Sequence, residues 1–72
     1  MKQPENIDRI ISNNLKKARL KSTLTQYQVA IEIGITYQQL QKYESGANRI
    51  TAGRLWNLSQ LYKIPIDSFF EH

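Results

Sequence analysis

Residues 26–45, QYQVAIEIGITYQQLQKYES, decide how this chain folds. Val29, Ala30 and Ile33 recur at the spacing of one helix face, and Leu40 and Tyr43 do the same further on. Between them stands Gly34, which is free to take the left-handed conformation that ends a helix and turns the chain. Each segment opens on its own cap, Thr25 with Gln28 and then Thr36 with Gln39, both in the Thr-x-x-Gln order of a capping box. The small Ala30 permits close approach, and Leu40 drops an apolar side chain back onto the junction. This pattern predicts two short helices crossing steeply over a tight turn, a helix-turn-helix over about residues 25–45.

The flanking sequence is helical too. Ile7, Ile11, Leu15 and Ala18 share one face of a helix expected over about residues 7–20, with Lys16, Lys17 and Lys21 off that face. After a polar loop at residues 46–50, Thr51 caps a fourth helix whose Leu55, Leu58, Ser59 and Tyr62 form a core-facing stripe. Pro65 stops that helix and can open a short fifth one carrying Ile66, Phe69 and Phe70. No segment alternates with period two, so no sheet is expected, and no repeat or linker divides the chain. The expectation is one all-α domain over residues 1–72, a bundle of five short helices.

Composition narrows the class. At 72 residues the chain lies near the lower limit for folding without a staple. It has no cysteine, and its single histidine is His72, so disulfides are excluded and a zinc site has almost nothing to use. The core must be apolar, and 40% hydrophobic residues are enough for a small helical bundle. No apolar run approaches the roughly 20 residues that span a bilayer. The opening MKQPENIDR is polar, so no leader is expected and the chain reads as soluble and cytoplasmic. The net charge of +4 is uneven: residues 1–15 are neutral, residues 16–54 carry +5 and residues 55–72 carry −1. The positive excess coincides with the helix-turn-helix, which favours a polyanionic partner.

Taken together, Arg19, Leu24-Thr25-Gln26, Val29-Ala30, Ile33-Gly34, Thr36, Leu40, Tyr43-Glu44-Ser45-Gly46, Leu55, Leu58 and residues 64–67 carry a resemblance over about residues 7–70. The chain resembles the Cro/CI-type helix-turn-helix domains, also called lambda-repressor-like or XRE-type. It departs from their pattern at four places. Thr23 and Lys63 stand where glycine is usual, Ile31 where a polar residue is usual, and the loop at residues 46–50 lacks the common proline.

The resemblance implies a five-helix lambda-repressor-like bundle that binds double-stranded DNA and regulates transcription as a repressor. It places Tyr37, Gln38 and Lys42 at base-reading positions, with Gln41 also facing outward or sideways on the third helix. Gln38 suits adenine N6 and N7, Lys42 suits guanine O6 and N7, and Tyr37 suits a thymine methyl or a phosphate. Gln26, at the start of the second helix, and Thr36, Ser45, Asn48 and Arg49 are the phosphate candidates. Arg19 and Glu44 are expected to form an inward ion pair. Trp56, Leu61, Phe69 and Phe70 are candidates for a homodimer contact on a palindromic operator, with reading helices about 34 Å apart.

Plainer readings exist for each of these. Three glutamines on a helix also make a solvated face, as do Lys16, Lys17 and Lys21. The four apolar residues could instead complete the monomer core. An enzyme is not expected, since no catalytic constellation, phosphate loop, metal set or cofactor motif is present. The functional alternative is a protein-interaction module, such as an antitoxin masking a partner protein. A third reading, an RNA binder, lacks the exposed aromatic platform expected for single strands.

Overall fold

The computed structural model describes residues 6–72; residues 1–5, part of the stretch read as lacking a leader, lie outside the described residues. Four α-helices follow one another: α1 (Ile7–Ser22), α2 (Gln26–Ile33), α3 (Tyr37–Ser45) and α4 (Ala52–Tyr62). No strand occurs among the described residues. The fifth predicted helix is instead a 3-10 turn, Ile66–Phe70. It begins when the Ser68 amide donates to the Pro65 carbonyl at 3.0 Å, a three-residue closure in a segment too short to settle into α geometry.

Side-chain caps fix where the helices begin. Asn6, Thr25, Thr36 and Thr51 each accept a hydrogen bond from the amide three residues on. In α2 the box is complete, because Gln28 Oε1 also accepts from the Thr25 amide at 2.9 Å. In α3 only the Thr36 half is found among the described residues, its hydroxyl accepting from the Gln39 amide at 3.1 Å. The α2 end is equally well defined. Gly34, at φ 73°, donates to Ile31, and the Ile35 amide donates to the Ala30 carbonyl at 3.0 Å, the paired closure of a Schellman motif.

The same motif ends α4 without a glycine. The Lys63 amide donates to Gln60 and the Ile64 amide to Ser59, with Lys63 held at φ 58°. Thr23 ends α1 at φ 63°. A β-branched residue fits the left-handed region poorly, so Thr23 stores more strain than Lys63 does. Thr23→Gly is therefore expected to stabilise the fold by about 1 kcal/mol, read as a higher midpoint in urea unfolding. An unchanged or lower midpoint would contradict the strain.

One apolar core joins every element. Leu15 of α1, Val29 of α2, Leu40 and Tyr43 of α3, Leu55 and Leu58 of α4, and Phe69 of the terminal turn are all buried and pack as one cluster. α1 lies against α3 and the terminal turn, while α2 lies against α3 and α4. Two polar ties secure the perimeter. Asn14 Nδ2 donates to the carbonyls of Phe69 and Glu71, each at 2.7 Å, strapping the C-terminal turn onto α1. Arg54 Nη1 donates to the Ile33 carbonyl at 2.8 Å, satisfying an α2 end group from α4. The α3 helix is thus held from behind along its Leu40–Tyr43 face.

Candidate nucleic-acid interface

The two sides of α3 differ sharply. Leu40, Tyr43 and Glu44 are buried, whereas Gln38, Gln41, Lys42 and Ser45 are exposed. A helical repeat of 3.6 residues produces this division, since positions 38, 41, 42 and 45 share one face and 40, 43 and 44 the other. Polar amides and one cation therefore line the free side of a short, capped helix. A major groove about 12 Å wide admits an α-helix, so side chains on such a face have the chemistry to meet base edges.

Behind this face sits a charged knot. Arg19 Nε donates to Glu44 Oε2 at 2.7 Å, and the two side chains are only 12% and 3% exposed. Arg19 Nη1 also donates to the Leu24 carbonyl at 3.1 Å. The second carboxylate oxygen, Glu44 Oε1, accepts from Gln26 Nε2 at 3.0 Å. Both lobes of the carboxylate are thereby satisfied, and α1, the start of α2 and the end of α3 are fixed together. The Glu44 hydrogen bond raises the Arg19 guanidinium above its already high ordinary value, against burial, which lowers it. That contribution to stability is present below the ordinary guanidinium range and is lost only as pH rises through it. Nearby, burial pushes the Tyr62 phenol well above its usual range, with the Glu44 charge adding to the effect. Its hydroxyl has no hydrogen-bond partner among the described residues.

The phosphate candidates divide. Thr36, Ser45, Asn48 and Arg49 are all exposed. Ser45 Oγ accepts from the Ala47 amide and the Asn48 amide donates to the Lys42 carbonyl, each at 3.3 Å, so the loop is stitched onto the end of α3. Arg49 Nε donates to Asp8 Oδ2 at 2.9 Å, with 85% of its side chain still in solvent. Gln26 is half-buried, and its side-chain amide donates to Glu44.

The four apolar interface candidates also divide. Phe69 is fully buried in the monomer core and cannot meet a second chain, and Leu61 is half-buried against the same core. In a 3-10 turn neighbouring residues point about 120° apart, so Phe69 faces inward while its neighbour Phe70 is turned out. Trp56 at 56% exposure and Phe70 at 40% remain available.

Sequence reasoning passed over Tyr27. It is 64% exposed, and its ring stacks on Tyr37 with centroids 5.2 Å apart and planes 26° from parallel. Tyr37 Oη in turn accepts from Gln41 Nε2 at 2.9 Å. The available signal was positional, an aromatic in the first turn of each helix on either side of the Gly34 turn. Among the described residues no group of His, Cys, Asp or Glu is placed to hold a metal ion. Nor is any described helix long and apolar enough to cross a membrane.

With this geometry in place, the chain belongs to the XRE-type helix-turn-helix family; the family model described as "Helix-turn-helix" matches residues 15–69. It is similar to an uncharacterized HTH-type transcriptional regulator of Sinorhizobium medicae, 40% identical over 70 residues, covering 97% of this chain and 50% of that protein. A second such regulator, from Rickettsia conorii, is 42% identical over 67 residues, covering 93% of this chain and 54% of that one. A transcriptional regulator in the ATPase CF(0) region of Rhodospirillum rubrum is 39% identical over 64 residues, covering 89% of this chain and 59% of the other. The chain thus spans about half the length of the curated relatives it matches. In three dimensions it is similar to the hypothetical transcription factor NHTF from Neisseria, with TM-score 0.85, over 99% of this chain and 84% of that one. At 11% identity that likeness concerns the fold alone.

Proposed function

We propose that this domain binds double-stranded DNA sequence-specifically and regulates transcription, acting as a repressor in the cytoplasm. In this reading α3 enters the major groove, Gln38 pairs with adenine N6 and N7, and Lys42 donates to guanine O6 and N7. Tyr37 and Gln41 complete the base-facing set. The α2 amino terminus at Gln26, with Thr36, Ser45, Asn48 and Arg49, would hold phosphates on either side and fix register without reading sequence. The observation that carries this reading is the free polar face of α3, with Gln38, Gln41 and Lys42 exposed while the opposite face is buried. The regulator names of the relatives support it, as does the positive excess over residues 16–54. Trp56 and Phe70, with the edge of Leu61, would supply a homodimer contact suited to a palindromic operator.

Selection from random duplexes is the test, followed by binding measured across a salt series. The wild-type chain is expected to enrich one motif, with affinity falling steeply as salt rises. Gln38→Ala is expected to cost about 1–3 kcal/mol on that motif and relax one base position. Enrichment of no motif, or an unchanged preference in Gln38→Ala, would contradict base reading by α3. Sedimentation that finds a monomer both free and on DNA would remove the homodimer. Co-purification with a second small protein, without DNA binding, would favour the partner-protein alternative.

A further inference from the structure

We infer that Lys16 of α1 is a direct contact to the DNA backbone, donating from Nζ to a phosphate beside the end of α3, a role that neither Lys17 nor Lys21 shares. The inference rests on the reading of α3 as the helix that faces DNA. The three lysines are alike in the sequence, and the fold separates them. On a helix turning about 100° per residue, Ser12, Lys16 and Arg19 fall within about 60° of one another. Ser12 is buried and abuts Gly46, where an added Cβ would stand 3.3 Å from Ser12 Oγ. Arg19 is tied to Glu44. The side of α1 that carries Lys16 therefore runs along the end of α3, and Lys16 lines a hollow there with Gln26, Gln41, Glu44 and Ser45. Lys17 and Lys21 stand about 140° and 180° round the helix from Ser12. They line a different hollow, with Asn14, Leu20, Ser68 and Phe69, on the side of the C-terminal turn.

Charge decides what the Lys16 hollow takes. Glu44 lines it, but both oxygens of that carboxylate already accept hydrogen bonds, one from Arg19 Nε and the other from Gln26 Nε2. The Arg19 and Glu44 charges cancel, which leaves the positive charge of Lys16 as the excess around the hollow. Lys16 is exposed, and its side chain has no ion pair or hydrogen bond among the described residues, so an anion would displace no partner. An ammonium is a compact point charge with three donors, suited to a phosphate oxygen. Base edges are met by the amino-terminal part of a reading helix. Lys16 stands instead beside Ser45, the last residue of α3, which places it toward the sugar-phosphate chain. Such a contact makes α1 part of the interface and fixes register without reading sequence.

The experiment is binding across a salt series to the duplex that the wild-type chain selects, for the wild type and for Lys16→Ala, Lys16→Arg, Lys17→Ala and Lys21→Ala, with thermal melting of each. Lys16→Ala should lower the steepness of log affinity against log salt by about 0.9, the value of one phosphate contact. Its deficit against the wild type should then shrink about 3.5-fold between about 50 and 200 mM salt, with the selected motif and the melting unchanged. Lys16→Arg should restore most of the slope, and Lys17→Ala and Lys21→Ala should stay close to the wild type. Duplexes carrying one methylphosphonate each neutralise one phosphate at a time. One position should weaken the wild-type chain and leave Lys16→Ala indifferent. Equal slopes for the three alanine variants, or no such position, would overturn the contact while leaving DNA binding by α3 intact. A wild-type chain that selects no motif would overturn the contact and the function together.

Discussion

Arg19→Ala is expected to destabilise the domain by about 3–5 kcal/mol, the range found when one member of a buried ion pair is removed. The reason lies with the partner left behind. The Glu44 side chain is 3% exposed, and truncation of Arg19 leaves one oxygen of its carboxylate without a donor. Gln26 still donates to the other oxygen, but a neutral amide does not balance the charge. The Leu24 carbonyl loses a donor at the same time. Small domains are stable by only about 5–15 kcal/mol in total, so such a loss removes much of the folded population. Lys21→Ala, on the exposed side of the same helix, is the matched control and should change stability by less than about 0.5 kcal/mol. Urea unfolding of both variants decides the matter, and equal midpoints would show that the pair does not hold the knot.

Phe69→Ala is expected to cost about 3–5 kcal/mol, the usual range for emptying a buried aromatic site. Phe69 is wholly enclosed and touches the cluster formed by Leu15, Val29, Leu40, Tyr43, Leu55 and Leu58. The turn that carries it is strapped to α1 through Asn14, so the cavity cannot close by a simple shift of the chain end. Phe70→Ala, beside it in sequence but 40% exposed, should lose far less stability and should act on self-association instead. Calorimetric melting of the two variants separates these roles. Comparable losses would mean that the terminal turn is not packed as described.

The parts of this fold legible in the sequence are those set by local chemistry. Thr25, Gln28, Thr36 and Thr51 fixed three helix starts because a cap and its amide lie three residues apart. Gly34 marked the turn because the left-handed conformation there suits a residue without a side chain. The periodic placement of Leu40 and Tyr43 then indicated which α3 residues stand free. What the sequence left open depends on distant partners. Gln26 is spaced for an anion contact, and its engagement by Glu44 across 18 residues follows only from how α2 and α3 cross. The Arg49–Asp8 pair spans 41 residues and left no local trace. Phe69 and Phe70 could not be ranked, since which of two adjacent aromatics turns inward depends on how the terminal turn docks on α1 through Asn14. Tyr27 reads as an ordinary exposed aromatic until the fold brings it onto Tyr37.

The most direct test of α3 as the DNA-facing element is an amide NMR titration of the folded chain with a selected duplex. The largest shifts should fall on the backbone of Tyr37–Ser45 and on the side-chain amides of Gln38 and Gln41, with smaller ones at Gln26, Asn48 and Arg49. Shifts centred on Trp56, Phe70 or the outer face of α1, with the Gln38 and Gln41 amides unmoved at saturation, would contradict it.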